Sequence, residues 1–182
     1  MNGEIDALRA HVRRGGLIAY PTESCYGLGC DPRNPHALKR LLHLKGRDAA
    51  KGLLLIADRF RRLRPFIRPV SATDRARMLR SWPGPVTWVV PASTNCLPAL
   101  TGGRPTIAVR VTAHRGAARL CRSLGMALVS TSANKSGRKS AKTAAECRRI
   151  FGARVRVVAG RIGRRRRPST LIDLATGTIL RP

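Results

Sequence analysis

Acidic residues are scarce in this sequence: nine Asp and Glu stand against 36 Lys and Arg, for a formal charge of +27 over 182 residues. Aromatic residues make up only 4%, which argues against a platform that stacks the bases of single-stranded nucleic acid. Long apolar runs are missing too. The stretches at 53–57 and 127–129 fall far below the roughly 20 residues that cross a bilayer, so no membrane association is expected. The opening residues include Glu4 and Asp6 without an apolar segment behind them; no secretory signal is expected, and the cytoplasm is the expected compartment. The five cysteines (25, 30, 96, 121 and 147) show no CxxC spacing, and the four histidines are not grouped with them. That pattern speaks against a structural zinc site and for reduced thiols. Absent as well are a Walker-A loop, a GxGxxG after a strand, HExxH and GxSxG. Any phosphate chemistry must therefore rest on dispersed basic and hydroxyl groups.

Hydrophobic residues make up 43% of the chain. That is too many for a disordered basic tail, and enough for the core of one domain without disulfide or metal support. The positive charge is uneven. Residues 138–167 hold twelve basic side chains and one acid, Glu146, whereas the first 30 residues are balanced at three each. Such a field attracts polyanions; a solvated arginine-rich surface is the plainer explanation. Charge alone identifies no fold.

Helical spacing is expected over 5–14, 35–44, 72–81, 115–124 and 143–151, with Asn34 capping the second helix and Gly125 closing the fourth. Strands are expected at 17–20, 53–57, 86–90, 106–111, 127–131, 155–158, 170–174 and 178–180. The segment 22–31 reads as a glycine-rich loop, 82–85 as a rigid Pro/Gly turn and 161–167 as a mobile arginine loop. Alternating strands and helices predict an α/β domain; the Pro/Gly breaks predict some antiparallel pairing, hence a mixed sheet.

Three segments concentrate chemistry. In Tyr20-Pro21-Thr22-Glu23-Ser24-Cys25-Tyr26-Gly27-Leu28-Gly29, hydroxyls and a carboxylate follow a strand end, where α/β sheets bind ligands; an ordinary tight connection is the alternative. Lys45-Gly46-Arg47, with Lys51-Gly52 behind it, leaves a helix whose C-terminal end welcomes one cation; two or three converging cations make an anion clamp. Ser130-Thr131-Ser132-Ala133-Asn134 places four hydrogen-bonding side chains after a buried strand, although Ser and Asn also form turns unaided.

Taken in order, YPTE…YGLG, KxR, WPGPVT (82–87), IAVRV (107–111), STSAN (130–134) and PST (168–170) resemble the YrdC/TsaC family over nearly the whole chain, from about residue 17 to 182. The resemblance implies a YrdC-like fold: a twisted open mixed sheet flanked by helices around a basic concave cavity. It further implies synthesis of L-threonylcarbamoyl-AMP from L-threonine, bicarbonate and ATP with release of pyrophosphate. That product would feed a threonylcarbamoyl transferase complex modifying tRNA next to the anticodon. By resemblance, Lys45 and Arg47 hold the phosphates as the catalytic pair, and Ser132, Asn134, Ser140 and Arg181 complete the ATP site. Thr22, Arg110, Ser130 and Ser169 hold threonine, with Arg110 on its carboxylate. Mg²⁺ would ride on the ATP phosphates rather than in a protein cage. Cys25 is not expected to act as a nucleophile, since the carbamate itself attacks phosphorus.

The chain departs from the family pattern at Asp48, where a proline usually follows KxR, and at Ser24-Cys25, where Thr-Val is more usual. Long family members carry an additional C-terminal domain; this chain resembles the short form, so a single domain over 1–182 is expected. Two rivals stand beside synthesis: a non-catalytic RNA-binding module, with weak direct RNA binding conceivable in either case, and carbamoyl transfer as in larger enzymes with a YrdC-like domain.

Overall fold

The computed structural model describes residues 2–182, and side chains from Gly3 onward; Met1, within the expected domain, lies outside the described residues. In chain order the elements are α1 (Asn2–Arg13), β1 (Ile18–Pro21), β2 (Tyr26–Gly29), α2 (Pro35–Lys45), β3 (Leu54–Ala57), α3 (Ala72–Ser81), β4 (Val86–Pro91), α4 (Pro98–Thr101), β5 (Thr106–Val111), α5 (Arg115–Leu124), β6 (Leu128–Ser132), α6 (Ala144–Phe151), β7 (Arg156–Val157), β8 (Thr170–Asp173) and β9 (Ile179–Arg181). The strands form one sheet in the order β7-β1-β2-β6-β3-β5-β4-β8-β9. Three pairs are parallel (β1–β7, β3–β5, β4–β8) and five antiparallel, so the sheet is mixed, as the sequence predicted.

Local chemistry sets the helix ends. Asn34 accepts from the Ala37 amide, and Pro35 follows where no amide partner is needed; Gly46, at φ 59°, closes α2 in the left-handed region. Ser71 and Thr143 cap α3 and α6 in the same manner. The His114 ring caps α5 by accepting from the Ala117 amide, a use of histidine that composition does not suggest.

Strand alternation divides the core. Ile18, Tyr20, Ile56 and Leu128 pack with Leu8 and Val12 of α1 and with Leu120, Cys121 and Leu124 of α5. On β4 and β5, Trp88, Val90, Ile107, Val109 and Val111 join the larger core with Met78 of α3. Their alternate neighbours Thr87, Val89, Thr106, Ala108 and Arg110 are thereby turned to the opposite face, where they line a cavity.

The expected loop at 22–31 is a correction. Residues Tyr26–Gly29 are a fully buried strand, paired antiparallel with β1 on one side and β6 on the other. Its glycines serve close packing. A Cβ on Gly29 would lie 2.4 Å from the Val129 carbonyl and 2.8 Å from the Tyr20 ring. The segment 161–167 is also more tied down than its charge suggested: the Gly163 amide donates to Thr22 O at 2.9 Å and the Arg165 amide to Glu23 O at 3.1 Å.

Candidate functional site

The cavity has a volume of about 1080 Å³. Its walls are the strand face just described, the Thr22–Cys25 turn, the 47–52 and 100–104 loops, the end of β6, and the 165–169 strap. Eleven Lys and Arg line it against Glu23, Glu146 and Asp173. A second hollow of about 540 Å³ lies between α2 and α4, is mainly apolar, and shares only Arg47 with the first.

Eight of the ten residues predicted for the site line this one cavity: Thr22, Arg47, Arg110, Ser130, Ser132, Ser140, Ser169 and Arg181. Lys45 and Asn134 do not. Lys45, at the end of α2, is buried, and its Nζ reaches Ser132 O and Asn134 Oδ1 at 2.5 Å, Asn134 O at 3.1 Å and Ser132 Oγ at 3.3 Å. It pins the loop after β6 from behind. Burial, with the Arg47 charge nearby, lowers Lys45 to about 8, and Cys25 works weakly the other way. Asn134 is held in turn, since Ser132 Oγ donates to its Oδ1 at 2.7 Å and its Nδ2 donates to Arg138 O.

Arg47 follows the left-handed turn at Gly46 and points elsewhere. Its Nε and Nη2 both donate to Gly52 O, at 3.2 and 3.1 Å. Gly52 itself is crowded: a Cβ there would lie 2.9 Å from Arg104 Nη2. Arg104 donates to Ala50 O at 2.7 Å. Burial lowers Arg47 first, and the charges of Arg104 and Arg181 lower it further; three guanidiniums therefore crowd one region. Asp48 does not intrude on them by pairing: its carboxylate caps the short 3-10 turn Ala49–Lys51 by accepting from the Ala50 amide.

The other end of the cavity is built from the β1–β2 turn. Thr22 donates to Cys25 O through both its amide and its hydroxyl, at 3.0 and 2.8 Å. That turn presents Glu23 to Arg110, with Oε2 at 3.1 Å from Nη2. Thr112 Oγ1 donates to the other oxygen, Oε1, at 2.6 Å. Burial pushes the Glu23 carboxyl upward, but Arg110 and the Thr112 hydroxyl outweigh it and hold it below the ordinary carboxylate range. Beside Arg110, on β4, the buried Thr87 hydroxyl donates to Ser169 Oγ at 2.8 Å, and Arg181 Nη2 donates to Ser169 O at 2.9 Å. Cys25 lines the cavity, and its Sγ accepts from Ser24 Oγ at 3.9 Å.

Sequence reasoning left Glu23, Thr87, Thr112 and Arg104 without a role. Strand alternation puts Thr87 beside Arg110 on the cavity face; nothing in the sequence pairs Glu23 with residues 110–112. Among the described residues no group of three or more His, Cys, Asp and Glu is arranged to hold a metal, and no helix is long and apolar enough to cross a membrane.

The profile of the Sua5/YciO/YrdC family, described as "Telomere recombination", matches residues 10–182. A protein of Thiobacillus denitrificans named threonylcarbamoyl-AMP synthase is 77% identical over 179 residues, covering 98% of this chain and 95% of its own. A protein of the same name from Methylobacillus flagellatus is 60% identical, covering 97% and 98%. Among solved structures, P. abyssi Sua5 complexed with L-threonine superposes with a TM-score of 0.91 at 32% identity; it covers all of this chain, which spans 54% of the Sua5 chain.

Proposed function

The chain belongs to the Sua5/YciO/YrdC family, and from that premise we propose that it is a nucleotidyltransferase making L-threonylcarbamoyl-AMP from L-threonine, bicarbonate and ATP. A single cavity carries this reading: it joins Arg110, suited to an amino-acid carboxylate, to a cluster of guanidiniums around Arg47 suited to phosphates. Relatives at 77% and 60% identity bear the name of that activity, and the similar Sua5 structure is a complex with L-threonine.

In this reading the threonine amine forms a carbamate, from carbon dioxide with loss of a proton or from bicarbonate with loss of water. A carbamate oxygen attacks the α-phosphorus of ATP, and pyrophosphate leaves. No side chain forms a covalent bond. The protein supplies positioning and charge neutralisation. Arg110, Thr22, Ser130 and Ser169 hold threonine. Arg47 faces the phosphates, with Ser132, Ser140 and Arg181 around the nucleotide. Lys45 and Asn134 act on the nucleotide by shaping the loop that carries Ser132. The cavity carboxylates are engaged within the chain: Glu146 accepts from the Lys142 amide and Asp173 from the amides of Ala175 and Thr176. Mg²⁺ accordingly enters on the ATP phosphates. The product passes in the cytoplasm to a transferase complex acting on tRNA.

Mass-spectrometric detection of threonylcarbamoyl-AMP after incubation with Mg²⁺-ATP, threonine and bicarbonate tests the reading. Pyrophosphate release should vanish when either threonine or bicarbonate is omitted. Release that requires an added carbamoyl donor in place of threonine and bicarbonate would favour carbamoyl transfer, and no turnover with tight RNA binding would favour the RNA module.

A further inference from the structure

Arg110 and Glu23 are both largely buried, with side chains 6% and 13% exposed. A buried guanidinium facing a carboxylate ordinarily closes a two-pronged pair. This pair is left half-made. One carboxylate oxygen, Oε2, lies 3.1 Å from Nη2, while the other, Oε1, is taken by the Thr112 hydroxyl at 2.6 Å. Glu23 Oε2 and Arg110 Nε are consequently buried without a hydrogen bond. Such atoms are few in folded proteins and costly to keep.

Thr112 is itself held firmly. It is buried, its amide donates to Ala57 O at 3.0 Å, and its Oγ1 accepts from the His114 amide at 3.1 Å. With that oxygen already accepting, the hydroxyl proton is directed to Glu23. The main chain of Glu23 is fixed from the other side by the Arg165 amide.

We propose that Thr112 and Glu23 are positioning residues for amino-acid binding: Thr112 holds one carboxylate oxygen of Glu23 away from Arg110. The guanidinium is then anchored through one contact at Nη2, and its other end, the Nη1 side, is left for the carboxylate of an incoming α-amino acid. The inference rests on the reading of Arg110 as the threonine anchor, and it adds no covalent step.

Calorimetric titration with L-threonine, and separately with Mg²⁺-ATP, tests it without turnover. Without its hydroxyl partner, Glu23 is free to close on Arg110 and compete with the ligand. Thr112→Val should weaken threonine binding about tenfold, the scale of one hydrogen bond to a charged group, with ATP affinity unchanged. Thr112→Ser, which retains the hydroxyl, should bind as the wild type. Because Thr112 acts through Arg110, the valine change should matter less than twofold in an Arg110→Lys background, where no fork exists. Thermal melting establishes folding; if Thr112→Val does not fold, Glu23→Gln carries the test through the anchor instead: the neutral amide cannot hold the Arg110 guanidinium by charge, and threonine binding alone should weaken. Wild-type protein that binds no threonine overturns the functional reading and this inference together. Wild type that binds it, with Thr112→Val or Glu23→Gln binding equally well, overturns this inference alone. So does a full tenfold loss in the Arg110→Lys background.

Discussion

Two groups of arginines in this protein are treated in opposite ways. At the end of β3, Asp58, with a side chain only 2% exposed, gathers Arg62 at 2.6 Å, Arg59 at 3.1 Å and Arg122 at 3.8 Å. Three cations there share one carboxylate, and the cluster fastens α5 to the turn after β3. In the cavity the cations stand almost entirely without carboxylate partners. Among the described residues, Arg110 is the only cavity-lining base in an ion pair. Arg47, Arg104 and Arg181 are steadied instead by the carbonyls of Gly52, Ala50 and Ser169. Carbonyls orient a guanidinium without neutralising it, so the cavity keeps its charge for an anion. An arginine-rich composition thus hides two functions, distinguished by the kind of oxygen each side chain touches.

The largest expected effect lies on the cavity side. Arg47→Ala should lower threonylcarbamoyl-AMP synthesis about a hundredfold, the cost of one charged contact in a preorganised site, with little change in melting temperature. A variant retaining half its activity would remove Arg47 from the phosphate region. The Asp58 cluster should behave in the opposite way. Asp58→Asn removes charge-assisted hydrogen bonds worth about 2 kcal/mol, or roughly 6 °C in melting temperature for a chain of this size, while KM for ATP and threonine stays put. If KM moves and stability does not, the division drawn between the two groups fails.

The same contrast marks where the sequence was legible. Arg110 was legible only through the family resemblance; the structure supplies the reason for its place, since Ile107, Val109 and Val111 of β5 enter the core and Arg110 faces away from it. Helix ends were readable where Asn34 and Gly125 carry their own capping chemistry. Tyr26–Gly29 was not, since two glycines in four residues look like a loop; pairing with strands on both sides, one of them some hundred residues away in sequence, makes it a strand. Lys45 and Arg47 look like one clamp in the sequence. The left-handed turn at Gly46 between them sends one side chain behind the Ser132 loop and the other to Gly52. The Glu23–Arg110 pair joins segments 87 residues apart, and no local spacing encodes it.

Lys45 sharpens the comparison further, because it is a buried cation held only by uncharged oxygens. Its folded value is lowered to about 8, whereas an unfolded lysine titrates near ~10.4. Between those values the unfolded chain holds a proton that the folded chain has released. Stability should therefore rise with pH across that window and be flat in this respect below about 8. The surrounding oxygens favour the charged form and limit the gain to on the order of 1 kcal/mol. Melting curves of wild type and Lys45→Met from pH 7 to 10 isolate this contribution, since every other base is common to both. Wild type should gain relative to the variant above pH 8; parallel curves would mean that burial does not perturb Lys45.

The smallest effect is expected from the strap. Arg165, Arg166 and Arg167 line the cavity while Arg164 does not, and the strap's backbone is fastened to Thr22 and Glu23. These side chains are expected to draw anions inward rather than to grip them. Replacing all four, Arg164 to Arg167, with serine should slow the association of a fluorescent ATP analogue about threefold at low salt. The difference should fade as ionic strength rises and the screening length falls from roughly 30 Å at 0.01 M to about 8 Å at 0.15 M. A second variant separates position from total charge. Arg61, Arg64, Arg68 and Arg80 are exposed and do not line the cavity, and serine at those four sites removes the same formal charge. If both variants slow association equally, the attraction belongs to the net charge of +27 and the strap has no special place in it. If only the strap variant slows, and its salt dependence flattens, the cavity-side arginines act on the ligand before it arrives.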